Sequence, residues 1–564
     1  MERHARFFRS DSLNAAVLCL AVMLVWAPRL KGPIDLRWDP ATYYQLGTSL
    51  AEGKGYRLPN EPGEIRAIQY PPVLPAIVAI HQRALGTSDC AVVGKVLRFT
   101  YLAMYFGYIL GVYALARSYL PPAFSLLVAL ITCTTRHSLL MSNALFAEIP
   151  FALASVAFVV VHRRGGGAGQ TLTSAVLGGL AYLLRTAGIA LLAAWVFESL
   201  VHRNWKQVAI RSALALIPVV AWQAYIGAVR SSEEYKHPAY AYQRAPYQFY
   251  NVSYAENLQL IDPFVPDLGR VTPSVLAKRL IVNLASMPVS LGESIVSRPS
   301  ALLLVGKLAI ASLGLAAAAG LVMQAKCGEW LVPTYVALSV ILTALTPWPA
   351  QFLRYLSPLT PFLTLAACQC LLATGRLLQR RWLDGSARIT PVLVALLLGL
   401  IVAKNGYAAV RRFNEQKKAL ASRGIRQDAL VDQLLFYYDE PWVAFDDAVA
   451  WIGAHADRRA IVSSSTPQWV YLRTGLKAVM PPMEPDMAQV QSLLDAVPVD
   501  YLIVESLGHS VETKRFLKGV VQAFPDRWEL VFRAPQGEGL VYRRAGTRSS
   551  PPLGTGPTRG SISG

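Results

Sequence analysis

The sequence predicts a mainly α-helical, polytopic membrane protein that carries a small α/β domain towards its C-terminus. Three observations lead there. Hydrophobic residues make up 54% of the 564, and only 16% are charged, where a soluble protein carries roughly a quarter; the mean hydropathy is +0.36. The apolar residues are concentrated in blocks near the ~20 residues that a bilayer crossing needs. After about Asn414 the composition changes, and polar helical stretches alternate with short β-like runs.

The formal charge of +19, from 54 basic and 35 acidic residues, has two readings. Nucleic-acid binding would need a basic stripe interleaved with aromatics in a soluble domain, and the sequence has none. The basic residues instead cluster in short segments between apolar blocks: Arg3, Arg6 and Arg9; Arg163 and Arg164; Arg203, Lys206 and Arg211; Arg376, Arg380, Arg381 and Arg388. Such clusters face the cytoplasm and fix orientation during insertion. The segment from Arg29 to Asp89 differs, mixing seven basic with six acidic residues. The six cysteines show neither a disulfide framework nor Cys/His metal spacing.

The chain opens on a basic stretch, MERHARFFRSD, followed by LNAAVLCLAVMLVWAP. No small-x-small cleavage site follows, so an uncleaved first span with its N-terminus inside is expected. Further spans are placed at roughly 94–117, 121–135, 146–162, 171–184, 186–202, 208–229, 301–323, 330–346, 355–374 and 389–408. That makes about 11 crossings of the cytoplasmic (inner) membrane. The basic clusters then lie inside and the C-terminal domain outside. The expected organisation is a transmembrane domain over 1–410, with outer loops at 29–90 and 230–300, then an extracytoplasmic α/β domain over 411–545. In it, AIVSS (460–464) and VDYLIVES (499–506) read as strands, and a hairpin is expected around Gly537 and Gly539. The Gly/Ser/Pro-rich tail 546–564 reads as disordered.

The first outer loop is the most informative stretch. In RWDPATYYQLGTSLAEGKGY, Asp39 stands before a helix whose Tyr43, Leu46 and Leu50 recur at helical spacing, as in an amphipathic helix along a membrane interface. Asp39 fits a helix cap, with Pro40 at the first helical position, and equally an acid–base group. A second interfacial element, AIQYPPVLPAIVAIHQRALG, turns at Tyr70-Pro71-Pro72. Two such elements suggest a vestibule rather than a simple connector. Glu148 opens a span in ALFAEIPF. Either it favours the positive end of the helix dipole, or it is an ionisable group kept at membrane depth for a task. Arg185 and Arg354 lie at span boundaries, where arginine snorkels to the interface or holds a phosphate bidentately.

Five stretches in order carry a resemblance: WDPATYYQLGTSLAEGKGY (38–56), QYPPVLPAIVAI (69–80), ALFAEIPFALASVAF (144–158), GLAYLLRTAGIALL (179–192) and RYLSPLTPFL (354–363). They resemble the integral-membrane GT-C glycosyltransferases, in the branch of protein O-mannosyltransferases, the lipid A aminoarabinose transferase and lipopolysaccharide-core sugar transferases. The likeness covers about residues 10–380. STPQWVYLRTGLKAVMPP (465–482) resembles the periplasmic appendage of bacterial members.

The resemblance implies a GT-C fold and sugar transfer from a polyprenyl-phosphate donor to an extracytoplasmic glycan, lipid or protein. It makes Asp39 the catalytic base or the acceptor-positioning carboxylate, and sets Glu148 beside it. Arg185 and Arg354 become phosphate contacts, and Tyr43, Tyr70, Arg66 and His137 further substrate-binding candidates. The chemistry is coherent, because a polyprenyl phosphate is already a good leaving group. A carboxylate must take the acceptor's proton, and cations must meet the charge that develops on the phosphate. The chain departs from the family where a lysine precedes the double proline: Tyr70 stands there, after Gln69. Arg66 is the candidate that compensates for the charge. No metal or other cofactor is expected. The rival reading is a transporter or flippase of lipid-linked sugars, which would show mid-bilayer charges and inverted repeats. The ionisable groups gather at the outer boundary instead.

Overall fold

The computed structural model describes residues 2–297, 304–382, 389–422, 438–507 and 511–546. The tail from 547 onward lies outside the described residues. The chain divides into two compact units: residues 1–35, 70–226 and 272–436 form the first, and 36–69, 227–271 and 437–564 the second.

The first unit is helical. Seven helices among the described residues are long and apolar enough to cross a membrane, or eight if the bent pair Pro122–Thr134 and Arg136–Asn143, 54° apart, is one span. The other expected spans fall on helices shorter than a full crossing, such as Glu148–Arg163 and Leu331–Ala344. Length and composition therefore give seven or eight spans against the expected 11. One qualifying helix, Pro273–Glu293, lies inside the stretch read as the second outer loop. Lys278, Arg279, Asn283, Ser286 and Pro288 interrupt its apolar residues, which hid it from a search for continuous blocks.

Large apolar side chains such as Leu24, Phe99, Leu172, Val220 and Leu400 point outward from these helices. On a soluble protein so much exposed apolar surface would be an aggregation hazard; on a membrane protein it meets lipid. Helices approach each other through small residues, as lipid-embedded helices do. Gly320 packs on the carbonyl of Ala366, leaving no room for a Cβ.

The second unit holds a five-stranded sheet of β1 (Ile461–Ser463), β2 (Lys477–Val479), β3 (Tyr501–Glu505), β4 (Trp528–Arg533) and β5 (Gly539–Arg544), in the order β2-β1-β3-β5-β4. β1 pairs in parallel with β2 and β3, whereas β5 is antiparallel to β3 and β4. The central strand β3, YLIVE, is buried along its whole length, which suits its β-branched and aromatic composition. The two β-like runs and the hairpin read from sequence are β1, β3 and β4–β5. β2 was not anticipated, being three residues followed by a double proline.

The hydrophobic core of this sheet extends beyond the C-terminal segment. Tyr240, Tyr242, Tyr247 and Leu260 join Val479, Leu494, Val504, Phe516 and Trp528 in one buried cluster. The first loop covers the open edge of β2: Ala478 N–H donates to the Asn60 carbonyl at 2.9 Å, and Asn60 Nδ2 donates to the Ala478 carbonyl at 3.1 Å. Lys477 adds an ion pair with Glu64 at 2.9 Å. An exposed strand edge invites pairing with another chain, and here a loop of the same chain occupies it.

Candidate active site

Glu148, Arg185 and Arg354, widely spaced in sequence, meet in the first unit. Glu148 opens the helix Glu148–Arg163 and is 1% exposed. Its Oε1 accepts from the Arg354 Nε at 2.5 Å and from Arg185 Nη1. Oε2 is buried and takes no hydrogen bond from the described residues. Both guanidiniums retain some exposure, with Arg185 at 16% and Arg354 at 19% of their side chains. Glu148 thus joins two guanidiniums through one carboxylate oxygen.

Local structure explains the placement. Arg185 has extended backbone between the helices Ala168–Leu184 and Ile189–Val201. The return turn needs Gly188, since a Cβ there would lie 2.6 Å from the Tyr182 nitrogen. Arg354 sits in the single-turn helix Phe352–Leu356. Its guanidinium lies 4.4 Å over the Phe146 ring, and that of Arg185 lies 5.8 Å over Tyr355. Such stacking fixes the plane of a guanidinium. Phe146 and Tyr355 were not singled out in the sequence, although each neighbours a residue that was.

Reading the sequence also missed Asp35 and Arg98. Asp35 is buried and forms a parallel bridge with Ala144: its N–H donates to the Asn143 carbonyl at 3.1 Å, and Leu145 N–H donates to the Asp35 carbonyl at 3.0 Å. Arg98, 1% exposed, donates to the carbonyls of Arg29 and Pro33 and to Asn143 Oδ1 at 3.1 Å. The chain leaving the first span is thus stapled to the short extended segment that leads into Glu148.

Asp39 belongs to the second unit. It is the first residue of the helix Asp39–Ala51, with Trp38 at the N-cap position and no side-chain cap bond from that residue. Asp39 is therefore not the N-cap. It stands in the first turn, where the helix dipole favours a negative charge, and its side chain is only partly buried. The helix is not a half-exposed interfacial one: residues 40–47 and Ser49 are all buried, Tyr43 among them. Leu46 packs with Leu58, Ile65 and Ala67, and Gln45 Nε2 donates to the Gln468 carbonyl at 2.6 Å. The periodicity found one apolar face; polar residues on the others are buried against protein.

Of the remaining candidates, Tyr70 is buried in the first unit and Arg66 lies in the second. Arg66 is held by Glu234, through its backbone N–H at 2.8 Å and its Nε at 3.7 Å, and Glu234 also pairs with Arg57. Glu234 thus shares its charge between Arg57 and Arg66, whose side chain stays 45% exposed. His137 lies on the helix Arg136–Asn143, and the charges acting on it are Arg136 and Arg412, unfavourable company for a metal ion. Among the described residues no three His, Cys, Asp or Glu side chains gather as a metal site.

One carboxyl in the second unit makes its stability sensitive to pH. Glu61, 1% exposed, accepts from Tyr240 Oη at 2.6 Å and Gln243 Nε2 at 3.1 Å, and burial pushes its pKa above the ordinary glutamate value. A carboxyl raised in the folded state binds its proton more tightly there. Its stabilising contribution is complete below the ordinary value and is lost as pH rises through the raised one. Glu61→Gln cannot ionise. The melting temperature of the variant minus that of the wild type should therefore increase as pH rises above the ordinary glutamate range. A difference that stays flat with pH would show that Glu61 carries no burial penalty on its charge.

No protein-family model matches the chain, and no curated protein matches it. Solved structures do. The chain is similar to the Archaeoglobus fulgidus oligosaccharyltransferase tethered with an acceptor peptide, at 12% identity over 94% of this chain and 74% of that one, with a TM-score of 0.50. The apo form of that enzyme gives 12% identity, 93% and 74% coverage, and a TM-score of 0.50. ArnT from Cupriavidus metallidurans in the apo state gives 12% identity, 93% and 97% coverage, and a TM-score of 0.49. The fold class is a multi-pass helical membrane protein with a small C-terminal sheet region. More particularly, the fold is GT-C-like, as the sequence motifs imply.

Proposed function

We propose that this chain is a membrane glycosyltransferase that moves a sugar from a polyprenyl-phosphate donor to an extracytoplasmic acceptor. The observation that carries this reading is the buried Glu148 holding two partly exposed arginines side by side. Two partly exposed planar guanidiniums suit a phosphate ester. In this mechanism Asp39 takes the proton of the acceptor hydroxyl, and the oxygen attacks the anomeric carbon with inversion, as the GT-C resemblance implies. The bond from that carbon to the phosphate oxygen breaks, and the polyprenyl phosphate leaves with its charge met by Arg185 and Arg354. Glu148 aims both arginines through Oε1 and keeps Oε2 as an acceptor for a sugar hydroxyl.

We place the N-terminus inside and the C-terminal domain outside because the basic clusters then face the cytoplasm. The three segments of the second unit share one folded body, so they lie on one side of the membrane. Each excursion between them must then make an even number of crossings. Among the described residues the first contains six candidates from Cys90–Arg117 to Trp205–Arg230, with the bent pair as one and Val73–Leu85 set aside as the second interfacial element of the sequence. The second contains five: Pro273–Glu293, Leu304–Lys326, Leu331–Ala344, Pro349–Gln379 and Ile389–Ala419. One of the five does not complete a crossing, and we assign that role to Pro273–Glu293. It is the least apolar of the long helices and has Pro288 inside. With the first span this restores about 11 crossings of the cytoplasmic membrane.

The test supplies radiolabelled polyprenyl-phosphate sugars to membranes with and without the protein and follows label into envelope fractions. Label that moves only with the protein present is the expected result, and the labelled fraction identifies the acceptor class. Efflux of intact lipid-linked sugar without bond cleavage would favour a flippase instead.

A further inference from the structure

The residue before Asp39 has a backbone that its side chain disfavours. Trp38 adopts φ 63°, ψ −140°, a region that bulky residues avoid unless their surroundings enforce it. Those surroundings come from the C-terminal domain within the same compact unit. The Trp38 ring packs edge-on against Trp442 at 5.4 Å. Arg37, wholly buried, lies 4.4 Å over Trp38, 5.0 Å over Trp442 and 5.4 Å over Tyr438. Beneath this cage sits Asp446, buried, accepting from Tyr438 Oη at 2.7 Å and from Trp469 Nε1 at 2.6 Å, and interacting electrostatically with Arg37. Farther along the Asp39 helix, Gln45 is bonded to the Gln468 carbonyl at 2.6 Å.

We propose that the C-terminal domain positions the catalytic loop: Tyr438, Trp442 and Asp446 grip the Arg37–Trp38 pair and so fix the direction in which Asp39 enters its helix. This rests on the reading of Asp39 as the base. A guanidinium stacked among three rings has one plane available to it, and the Trp38 turn it enforces sets the first helical residue. Two ties, before and after Asp39, keep that helix from rotating. The domain then acts as a jig for a carboxylate that its own sequence does not contain.

The experiment uses the full-length protein in nanodiscs, with polyprenyl-phosphate sugar as donor, and compares Trp442→Ala, Trp442→Phe, Arg37→Lys and Asp39→Asn. Displacing a catalytic group by about 1 Å costs on the order of 10²-fold in rate. Trp442→Ala should therefore lower kcat by about that factor and leave the donor KM within about twofold. Trp442→Phe should restore most of the rate, and Arg37→Lys, which keeps charge but not the stacking plane, should fall between. Hydrogen exchange should rise in peptide 36–47 and stay unchanged in peptide 499–505 of the sheet. Unchanged kcat or unchanged exchange at 36–47 in Trp442→Ala and Arg37→Lys would overturn the proposal. So would raised exchange in both peptides with no rescue by phenylalanine, since the cage would then be general core. Full activity of Asp39→Asn would instead strike the base assignment, leaving exchange at 36–47 to judge the grip on the loop.

Discussion

Asp39→Asn should lower the rate of sugar transfer by about 10²- to 10⁴-fold, the range over which a positioned general base contributes, while the protein stays folded. The substitution is nearly isosteric and removes the negative charge and the capacity to take a proton. Asp39 is partly exposed in the first turn of its helix, so the lost interaction with the helix dipole is about 0.3–1 kcal/mol, too little to unfold the unit. The lipid donor should bind as before, because the phosphate contacts assigned to Arg185 and Arg354 are untouched. Asp39→Glu keeps the carboxylate but moves it by one methylene, and should retain more activity than Asn and less than the wild type. The measurement is initial rate against donor concentration in membranes matched for protein. If Asp39→Asn turned over at the wild-type rate, the base would have to be sought elsewhere, with Asp35 the first alternative on this stretch of chain.

Asp39 and Glu148 were legible in the sequence because each combines a carboxylate with a boundary signal, Pro at the next position or Pro two residues on. Arg185 and Arg354 were legible as guanidiniums at the ends of apolar runs. That Glu148 would bond both arginines through one oxygen was not, since Glu148 and Arg354 are 206 residues apart and no local pattern encodes such a contact. Arg98 was missed because it lies inside a long apolar helix, where its backbone-carbonyl partners leave no trace in composition. The helix Pro273–Glu293 was missed for the opposite reason: polar residues broke a pattern that packing nonetheless completes. Arg66 marks the limit of charge counting. Its sequence neighbourhood suggested a cation free to replace the family's lysine, whereas Glu234, far along the chain, holds it. The polar residues of the Asp39 helix misled similarly, because periodicity separates apolar from polar faces but does not tell water from a neighbouring domain.

The Glu148 cluster permits a sharper test, because its members should fail in different ways. Arg354→Ala removes a charge-assisted contact to the donor phosphate, worth about 1.5–3 kcal/mol, so the donor KM should rise roughly 10- to 100-fold. It also frees Glu148 from one partner, and Arg185 remains to answer that charge. Glu148→Gln does the reverse and leaves two guanidiniums side by side with no carboxylate between them. Breaking a buried ion pair by removing one partner costs about 3–5 kcal/mol, so this variant should melt well below the wild type. Removing the excess charge should repair the fold but not the chemistry. Glu148→Gln combined with Arg354→Met should therefore melt closer to the wild type than Glu148→Gln does, while its donor KM stays as high as in Arg354→Ala. Thermal unfolding and donor titration of the wild type, Glu148→Gln, Arg354→Met and the double variant form a double-mutant cycle whose coupling term isolates the pair. Strictly additive melting shifts would mean that Glu148 does not hold Arg354 in the working protein. A normal donor KM in Arg354→Ala would remove this arginine from the phosphate site and leave Arg185 to carry it alone.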